Sequence, residues 1–349
     1  MKYSRKMSLC AALFLLFVTW VSDLQGAEKA ARKGADYFNR KTITFLVPVS
    51  PGGGFDSYAR MLAPFIEKYT GSTVVVKNVP GGGTLVGTIQ VYKAKPDGLT
   101  IGILEAASLA IRTLSGDSLG FDLNKFTWLG RISAEQRLFV VSKKSPYRSI
   151  DDMVKATKPV KFSAVGVGST TYNDVCMFVE GFGIKAQLVT AYEGTSEADL
   201  AVVRGDVDAV EGTYISKRKF IESGDVLPIL QFGSEPLAAL KGTPVLEEIM
   251  DQSKLIRTEE KPLLVFMSNI TKVGRGIATA TGTPQDIAQI LSKAVTQALN
   301  DPQLREIAAK RQFAIHALTG PEEQQLVKRV LETPGPLRAK LVKTLSKYK

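Results

Sequence analysis

The chain has 349 residues, of which 44% are hydrophobic and 23% charged, a balance typical of a soluble globular protein with a large core. Its formal net charge is +11, but the basic residues are scattered along the chain. The alternation of basic and aromatic residues that marks nucleic-acid-binding modules is missing. We therefore expect no nucleic-acid partner, and the charge suits an anionic small ligand.

The N-terminus has the pattern of a secretory signal peptide. Three basic residues, an apolar block and two small residues follow one another: Lys2, Arg5, Lys6, Leu9–Val21, Gly26 and Ala27. The block is shorter than the roughly 20 residues that span a bilayer, so cleavage is favoured over an uncleaved anchor. Residues 1–27 are thus predicted to be a signal peptide, whose removal takes away three basic residues and one acidic residue and leaves a charge of +9. Cys10 leaves with it, and Cys176 is expected to be a buried apolar residue without a disulfide partner.

Strand and helix patterns alternate from residue 42 onward. "TITFLVPV", "STVVVKNV" and "LTIGIL" predict strands. An apolar stripe from Tyr58 to Tyr69 predicts a helix, interrupted by Pro64 and stopped by Gly71, and "TLVGTIQVYKA" predicts a second. Strands that alternate with helices in this way predict a parallel, doubly wound α/β sheet.

The alternation resumes after Trp128. "RLFVVS", "VKFSAV", "AQLVTA", "VDAVEG" and "VLPILQF" predict strands, and helices are expected near Ile150–Ala156, Thr171–Glu180, Glu197–Val203 and Tyr214–Glu222. Residues 234–261 are polar and ambiguous, and an apolar cluster, "LLVFM" and "GIATATG", follows them. A helix is then expected from a Thr283 cap to Asn300, with Pro284 in its first turn. The chain therefore has two α/β units and a C-terminal helical part.

Two glycine-rich turns, Pro51–Gly54 and Pro80–Gly83, each follow a predicted strand and precede a predicted helix. Ligands of open parallel sheets bind at the carboxyl ends of the strands, where unpaired N–H groups begin the next helix. Glycine lets a ligand approach that backbone, so the pair suits a carboxylate or a phosphate. Each turn taken singly is equally compatible with a tight turn that binds nothing. Neither has the spacing of a P-loop or of a dinucleotide site.

Hydroxyl-rich loops stand at the equivalent position of the second unit. Ser169, Thr170 and Thr171 open one predicted helix, and Ser196-x-x-Asp199 matches a capping box at the next. Capping and ligand contact need the same helix-end geometry, so both interpretations stay open for these hydroxyls. For Asp56, N-capping is favoured over ligand contact, because a carboxylate repels an anion.

With these loops in place, the sequence resembles the Bug family, the extracytoplasmic solute receptors of tripartite tricarboxylate transporters. The resemblance covers residues 42–313 and fades after Ala314. It is looser in "GVGSTTYND" and "YEGTSEADLAVVRGDVDAV", and it includes the C-terminal segment "ATGTPQDIAQILSKAVTQALNDPQLREIAAK". The residues that carry its most specific part are Pro51, Gly53, Gly54, Asp56, Ala59, Arg60, Val76, Asn78, Pro80, Gly81, Gly83, Gly87 and Pro96-Asp97-Gly98.

The resemblance implies a type II periplasmic binding protein fold, with two doubly wound α/β domains joined by a two-strand hinge. Domain 1 would comprise residues 40–136 and 233–349, and domain 2 residues 137–232. The predicted ligand-binding residues are Gly53, Gly54, Phe55, Asp56, Gly81, Gly82, Gly83, Thr84, Ser108, Ser169, Thr170, Tyr172, Tyr192 and Thr195.

By the same resemblance, the chain would be a monomeric periplasmic receptor without a cofactor or metal that delivers a small organic acid to membrane transporter subunits. A receptor that presents its ligand to a sensor kinase is the first alternative. An enzyme is the second, disfavoured because His316 is the only histidine and no constellation of nucleophile and base is seen. Phe55 and Tyr172 depart from the family, which has a smaller residue and a histidine or similar polar group there, and these departures bear on the ligand more than on the fold.

Overall fold

The computed structural model describes residues 37–134, 136–190, 192, 194–233 and 236–348. The predicted signal peptide, residues 1–27, lies outside them. Eleven strands are found in this part of the chain: β1 (Thr42–Val47), β2 (Thr73–Asn78), β3 (Thr100–Glu105), β4 (Thr127–Ser133), β5 (Gln136–Ser142), β6 (Val160–Ser163), β7 (Ala186–Val189), β8 (Ala209–Thr213), β9 (Val226–Gly233), β10 (Arg275–Thr279) and β11 (Leu318–Thr319). Within the same residues, no helix combines the length and the apolar character that a membrane crossing requires.

Helices connect the strands and extend the chain beyond the last one. Over the described ranges they are α1 (Gly54–Thr70), α2 (Leu85–Tyr92), α3 (Ala106–Leu114), α4 (Ile150–Val154), α5 (Thr170–Phe182), α6 (Thr195–Arg204), α7 (Tyr214–Glu222), α8 (Leu246–Ile249), α9 (Lys261–Ile270), α10 (Gln285–Asn300), α11 (Pro302–Lys310), α12 (Gly320–Leu331) and α13 (Gly335–Ser346). The ambiguous residues 234–261 contribute only the short α8 and two 3-10 turns, Ala238–Leu240 and Thr258–Glu260.

The strands form two sheets, which define two α/β domains. The first has the order β11-β4-β10-β3-β1-β2 and the second the order β7-β6-β8-β5-β9. β1 pairs in parallel with β2 and β3, and β6 with β7 and β8, as the alternation of strands and helices predicts. The chain passes from the first sheet to the second between β4 and β5 and returns after β9.

Neither sheet is wholly parallel, which corrects the sequence-based prediction. β10 runs antiparallel to β3 and β4, and β5 runs antiparallel to β8 and β9. The reason is the double crossing between the sheets: β5 and β10 each arrive from the other sheet, and not through a strand–helix–strand connection within their own sheet that would make them parallel to their neighbours. Mixed sheets of this kind still gather the carboxyl ends of their parallel strands at one edge.

The first helix shows how the local sequence builds this scaffold. α1 buries an apolar face that includes Tyr58, Leu62 and Ile66, and it accommodates Pro64 without ending. Gly71 ends it in the left-handed conformation, with φ of 69°, and its N–H bonds the carbonyl of Glu67. The same apolar cluster includes side chains from α10 on the same side of the sheet, so the first domain has a core that holds the loops before α1 in place.

Two predicted helix caps are wrong. α10 begins at Gln285, and the Thr283 hydroxyl donates to the carbonyl of Ala280 instead of capping the helix. α6 begins after Gly194 without a side-chain cap, because Asp199 is buried and pairs with the Lys217 ammonium. Both corrections follow from tertiary contacts that a local pattern does not contain.

The C-terminal helices link the two domains. Arg338 Nε of α13 donates to the carbonyl of Leu114, at the end of α3, over 2.6 Å. At the other end of α13, the Tyr172 hydroxyl of α5 donates to the Leu345 carbonyl over 2.9 Å, and Lys347 pairs with Glu180 at 2.7 Å. We call α13 with Lys347 and Tyr348 the C-terminal strap.

Candidate functional site

The two glycine-rich turns leave the same edge of the first sheet. β1 and β2 pair in parallel from Thr42 opposite Thr73 to Val47 opposite Asn78, so their carboxyl ends lie side by side. Asn78 Nδ2 then donates to the Val49 carbonyl over 3.0 Å, which joins the end of β2 to the turn before α1. The sequence-based expectation that both turns lie at one end of the sheet agrees with this geometry.

Asp56 holds the first turn together. Its Oδ2 accepts from the Gly52 N–H and from Arg60 Nε, both at 3.0 Å, and its Oδ1 accepts from Asn78 Nδ2 at 2.9 Å. These hydrogen bonds lower the pKa of Asp56 although burial opposes the shift. The helix cap is Gly53 and not Asp56, so this carboxylate is neither the cap that the sequence favours nor an exposed ligand contact. It also occupies the Gly52 N–H, which is then not free for an anion.

The second turn has an unusual backbone. Gly81, Gly82 and Gly83 all have positive φ, at 129°, 59° and 61°, and Thr84 continues the run at 78°. Glycine tolerates this region freely, whereas a threonine is strained there. The Thr84 hydroxyl is also buried without a hydrogen-bond partner. Backbone strain of this kind is typical of residues held in place for binding.

Side chains at the start of α3 meet the hydroxyl-rich loop of the second domain. The Thr170 hydroxyl donates to Glu105 Oε1 over 2.5 Å, and the Ser108 hydroxyl donates to the Gly168 carbonyl over 3.0 Å. Ser169 caps α5 by accepting from the Tyr172 N–H, one of the two roles left open for it. The two domains are thus in direct contact beside the glycine turns.

A small cavity lies between the domains at this contact. Its volume is about 20 Å³, which is room for one water molecule and not for an organic acid. It is lined by Phe55, Glu105, Ala107, Arg137, Thr170, Asp174, Ile270, Thr271 and Gly274. A larger solute would enter only if the domains moved apart, as in the hinge closure of two-domain binding proteins.

A buried charge cluster forms the second-domain side of the cavity. Arg137 Nε and Nη2 donate to the two oxygens of Glu211, both at 2.7 Å, and Arg137 Nε lies 2.9 Å from Asp174 Oδ2. Burial first, and then the neighbouring Glu211, raise the pKa of Asp174 well above its usual value, although Arg137 opposes the shift. The guanidinium of Arg137 is therefore already neutralised by carboxyl groups of the protein.

Two arginines that no sequence motif singles out lie against the turns. A Cβ on Gly54 would come within 3.0 Å of Arg275 Nη2, and the Arg275 guanidinium stacks 4.6 Å from the Phe55 ring. Arg112 Nη1 donates to the Gly82 carbonyl over 3.2 Å. Local patterns miss both arginines, because β10 and α3 bring them to the turns from elsewhere in the chain.

Of three further predicted residues, Tyr172 faces away from this place, and Tyr192 and Thr195 do not line the cavity between the domains. Tyr172 is 1% exposed, and its hydroxyl bonds the C-terminal strap, so the prediction of a ligand contact is not supported by its position. Tyr192 is half-buried against the apolar cluster of the second domain, and Thr195 is exposed at the start of α6. The physical reason for Tyr172 is its place on the apolar side of α5, which the C-terminal strap covers.

A second, more open cavity of about 610 Å³ runs beside α2. Lys77, Lys93 and Lys95 line it together with Thr44, Thr100 and apolar side chains of α2. None of the predicted site residues is among its lining residues. It lies outside the contact between the domains.

The described residues offer no catalytic constellation. His316 is exposed, and its carbonyl accepts from Arg131. Burial raises the pKa of the Cys176 thiol to about 12, which leaves it inert. Within the described part of the chain, no group of three or more His, Cys, Asp or Glu is placed to hold a metal ion.

Two mixed α/β sheets that meet at a cleft, with glycine turns at the sheet edge, define the class of two-domain solute-binding proteins. The chain belongs to the tripartite tricarboxylate transporter receptor family, because the model of that family matches residues 58–342. The match continues past Ala314, where the sequence-based likeness is expected to fade, and this corrects that expectation. The family is one of solute receptors and not of enzymes.

Similar sequences and similar solved structures are consistent with membership of this family. A protein from the tcbD-tcbE intergenic region of Pseudomonas sp. strain P51 is 24% identical over 293 residues, which are 82% of each chain. The periplasmic binding protein BugD superposes with a TM-score of 0.70 at 22% identity, over 88% of this chain and 98% of BugD.

Two further structures were solved with a bound acid. MatC from Rhodopseudomonas palustris, with malate, has a TM-score of 0.70 at 20% identity over 87% of this chain and 99% of its own. An R. palustris protein with adipate has a TM-score of 0.70 at 20% identity over 88% and 97%. At these identities the likeness establishes the type II periplasmic binding protein fold.

Proposed function

We propose that this protein is a periplasmic receptor that captures a small organic acid between its two domains and delivers it to a tripartite tricarboxylate-type transporter. The observation that carries the proposal is the cavity at the contact between the domains, which Phe55 beside the first glycine turn and Thr170 at the start of α5 both line. Backbone N–H groups at helix starts suit a carboxylate, and the Arg275 guanidinium lies beside the first turn. The malate and adipate held by two proteins of the same fold support this class of ligand.

The proposal assigns the two domains to residues 40–136 with 233–349 and to residues 137–232. Their closure on the ligand would be a hinge movement at the two crossings between the sheets, and the receptor would act as a monomer. In this proposal the ligand contacts come from the turns before α1 and α2, from Phe55 and from the start of α5. Ser108 and Glu105 would hold the closed form by their contacts to that loop.

The experiment that tests this function has two steps. The mature protein is first screened by thermal shift and calorimetry against C4 to C6 dicarboxylates, citrate, aromatic acids and amino acids. Uptake of the radiolabelled hit is then measured in cells that carry this gene and in the same cells after its deletion. Binding of an acid together with gene-dependent uptake would support the proposal. Binding without any effect on uptake would refute delivery, and no binding of any acid would refute the receptor assignment for this ligand class.

A further inference from the structure

We infer that the open cavity beside α2, here called the basic groove, is a docking surface for an acidic segment of a partner protein. The inference rests on the proposed function, under which that partner is a membrane subunit of the transporter. The groove has a volume of about 610 Å³, and side chains of β1, β2 and β3 form one wall of it. The other wall consists of α2 and the turn that follows it. The groove therefore belongs to the first domain alone.

One face of β2 is exposed beside the groove. Val74 and Val76 point to the opposite face, where they pack against the apolar cluster that contains α1. Because side chains of a strand alternate between its faces, Val75 and Lys77 share the face that borders the groove, and both are exposed. Val75 is 49% exposed, and Val86 at the start of α2 is 50% exposed. Parallel strands are usually covered on both faces, so these exposed valines mark a surface that a partner can cover.

Three lysines give the groove its positive charge. Lys77, Lys93 and Lys95 line it, and all three are exposed. Within the described part of the chain, none of them forms an ion pair or a side-chain hydrogen bond. Among the described lining residues Asp97 alone is acidic, and its Oδ1 accepts from the Leu99 N–H over 2.9 Å inside the turn before β3. Cationic side chains that the protein does not pair itself favour a partner of opposite charge, so the occupant is acidic.

Other occupants match the groove less well. A second copy of this chain, paired edge to edge through β2, would bring two sets of lysines together, and like charges repel. A flat lipid surface contacts protruding side chains, whereas these line a concavity. A small anion in an open groove would stay largely in water, where salt screens the lysines. A protein segment also covers the exposed valines, and the burial of apolar surface adds to the attraction between charges.

The groove begins next to the second glycine turn. A Cβ on Gly81 would come within 3.0 Å of Val86 Cγ2, so the turn is in contact with the first residue of the groove on α2. The proposed function assigns this turn to ligand binding. A partner segment in the groove would therefore lie beside the ligand site, which suits a surface used for transfer of the ligand.

Charge reversal separates docking from ligand binding. The triple variant Lys77→Glu, Lys93→Glu, Lys95→Glu should keep its melting temperature, and its Kd for the acid found in the screen should change by less than about threefold, because salt screens exposed charges from the cleft. Gene-dependent uptake of that acid should fall by about tenfold or more, since attraction to an acidic segment becomes repulsion. Uptake at the wild-type rate in this variant would overturn the inference and leave the proposed function standing.

A second triple variant controls for the change in net charge. Three exposed lysines of the second domain also form no ion pair or side-chain hydrogen bond among the described residues: Lys158, Lys161 and Lys185. Their replacement by glutamate should leave uptake at the wild-type rate. Equal losses in both triple variants, or loss of ligand binding in the groove variant, would overturn the inference. If the wild-type protein itself supports no uptake, the proposed function and the inference both fail.

A photo-crosslinker identifies the occupant, and it decides alone if the groove variant does not fold. Gln90 is an exposed lining residue and Cys176 is buried, so a benzophenone on Gln90→Cys labels the groove. The labelled mature protein, with the acid found in the screen, is irradiated on spheroplasts of cells that lack this gene. The cross-linked peptide should be an acidic segment of an integral membrane protein, and a label on Gln187→Cys, exposed on β7, should not give it. Cross-linking only to a second copy of this chain, only to lipid, or to nothing would overturn the inference.

Discussion

Gly53→Val should abolish ligand binding and leave the protein folded. Gly53 lies directly before α1 with φ of −84° and ψ of 177°, a conformation that any residue adopts, and a Cβ there would meet no atom within 4 Å. Valine is a poorer N-cap than glycine by about 1 kcal/mol. It also stiffens the unfolded chain, which stabilises the protein by about 0.4 to 1 kcal/mol. The two effects nearly cancel, so the melting temperature of the free protein should change little.

The effect on binding should be large by comparison. The new side chain would fill the space in which an anion approaches the N–H groups at the start of α1. A ligand at a hundred times its Kd stabilises the wild-type protein by about 2.7 kcal/mol, and the variant should lose that stabilisation. The assay is thermal shift at a fixed ligand concentration, followed by calorimetry.

A matched substitution controls for the general effect of replacing a glycine at a helix start by valine. Gly335 also lies at a helix start, and a Cβ there meets no atom within 4 Å, but it belongs to the C-terminal strap. Gly335→Val should keep the wild-type ligand response. If Gly53→Val binds the ligand with the wild-type Kd, then the first glycine turn is not part of the site and its exposed amides do not hold the anion.

Three further substitutions test the structure. Burial raises the pKa of Glu323 to about 8 from 4.5, so the folded protein keeps a proton that the unfolded chain releases. The free energy of unfolding of the wild type should therefore fall by about 1.4 kcal/mol per pH unit between these values. Urea titrations should show that Glu323→Gln becomes more stable relative to the wild type from pH 5 to pH 8, and a constant difference in stability would contradict this. Asp199→Ala should cost about 3 to 5 kcal/mol because it strands the buried Lys217 ammonium, and adding Lys217→Met should restore much of the loss, whereas additive losses would argue against the pair. Tyr172→Phe should cost about 1 kcal/mol through the lost bond to Leu345 and leave ligand affinity intact, and a weakened Kd would return this residue to the site.

Local sequence patterns are sufficient to predict most of the scaffold. The apolar stripe from Tyr58 to Tyr69, the stop at Gly71 and the strands on either side all lie where the sequence places them, because each depends on residues close together in the chain. The position of the two glycine turns at one edge follows from the parallel pairing of β1 and β2, which the intervening helix requires.

The remaining features depend on contacts between distant parts of the chain. Arg275 reaches the first glycine turn only because β10 returns to pair with β3, and no local pattern predicts that return. The sequence favours Tyr172 as a cleft residue because nothing in its neighbourhood indicates that a helix from the chain end covers it. Asp174 lies on α5 and Arg137 on β5, so their ion pair is visible only in three dimensions.

The C-terminal strap adds a third physical link between the two domains, which the main chain already connects at two crossings. It is fastened to Leu114 on one side and to Tyr172 and Glu180 on the other. If the domains rotate against each other, as the proposed function requires, these contacts must stretch, slide or break, so the strap would limit the angle to which the cleft opens. A fluorescent label near Tyr348 would consequently report the rotation between the domains. Removing part of the C-terminal strap would widen the range of angles between them.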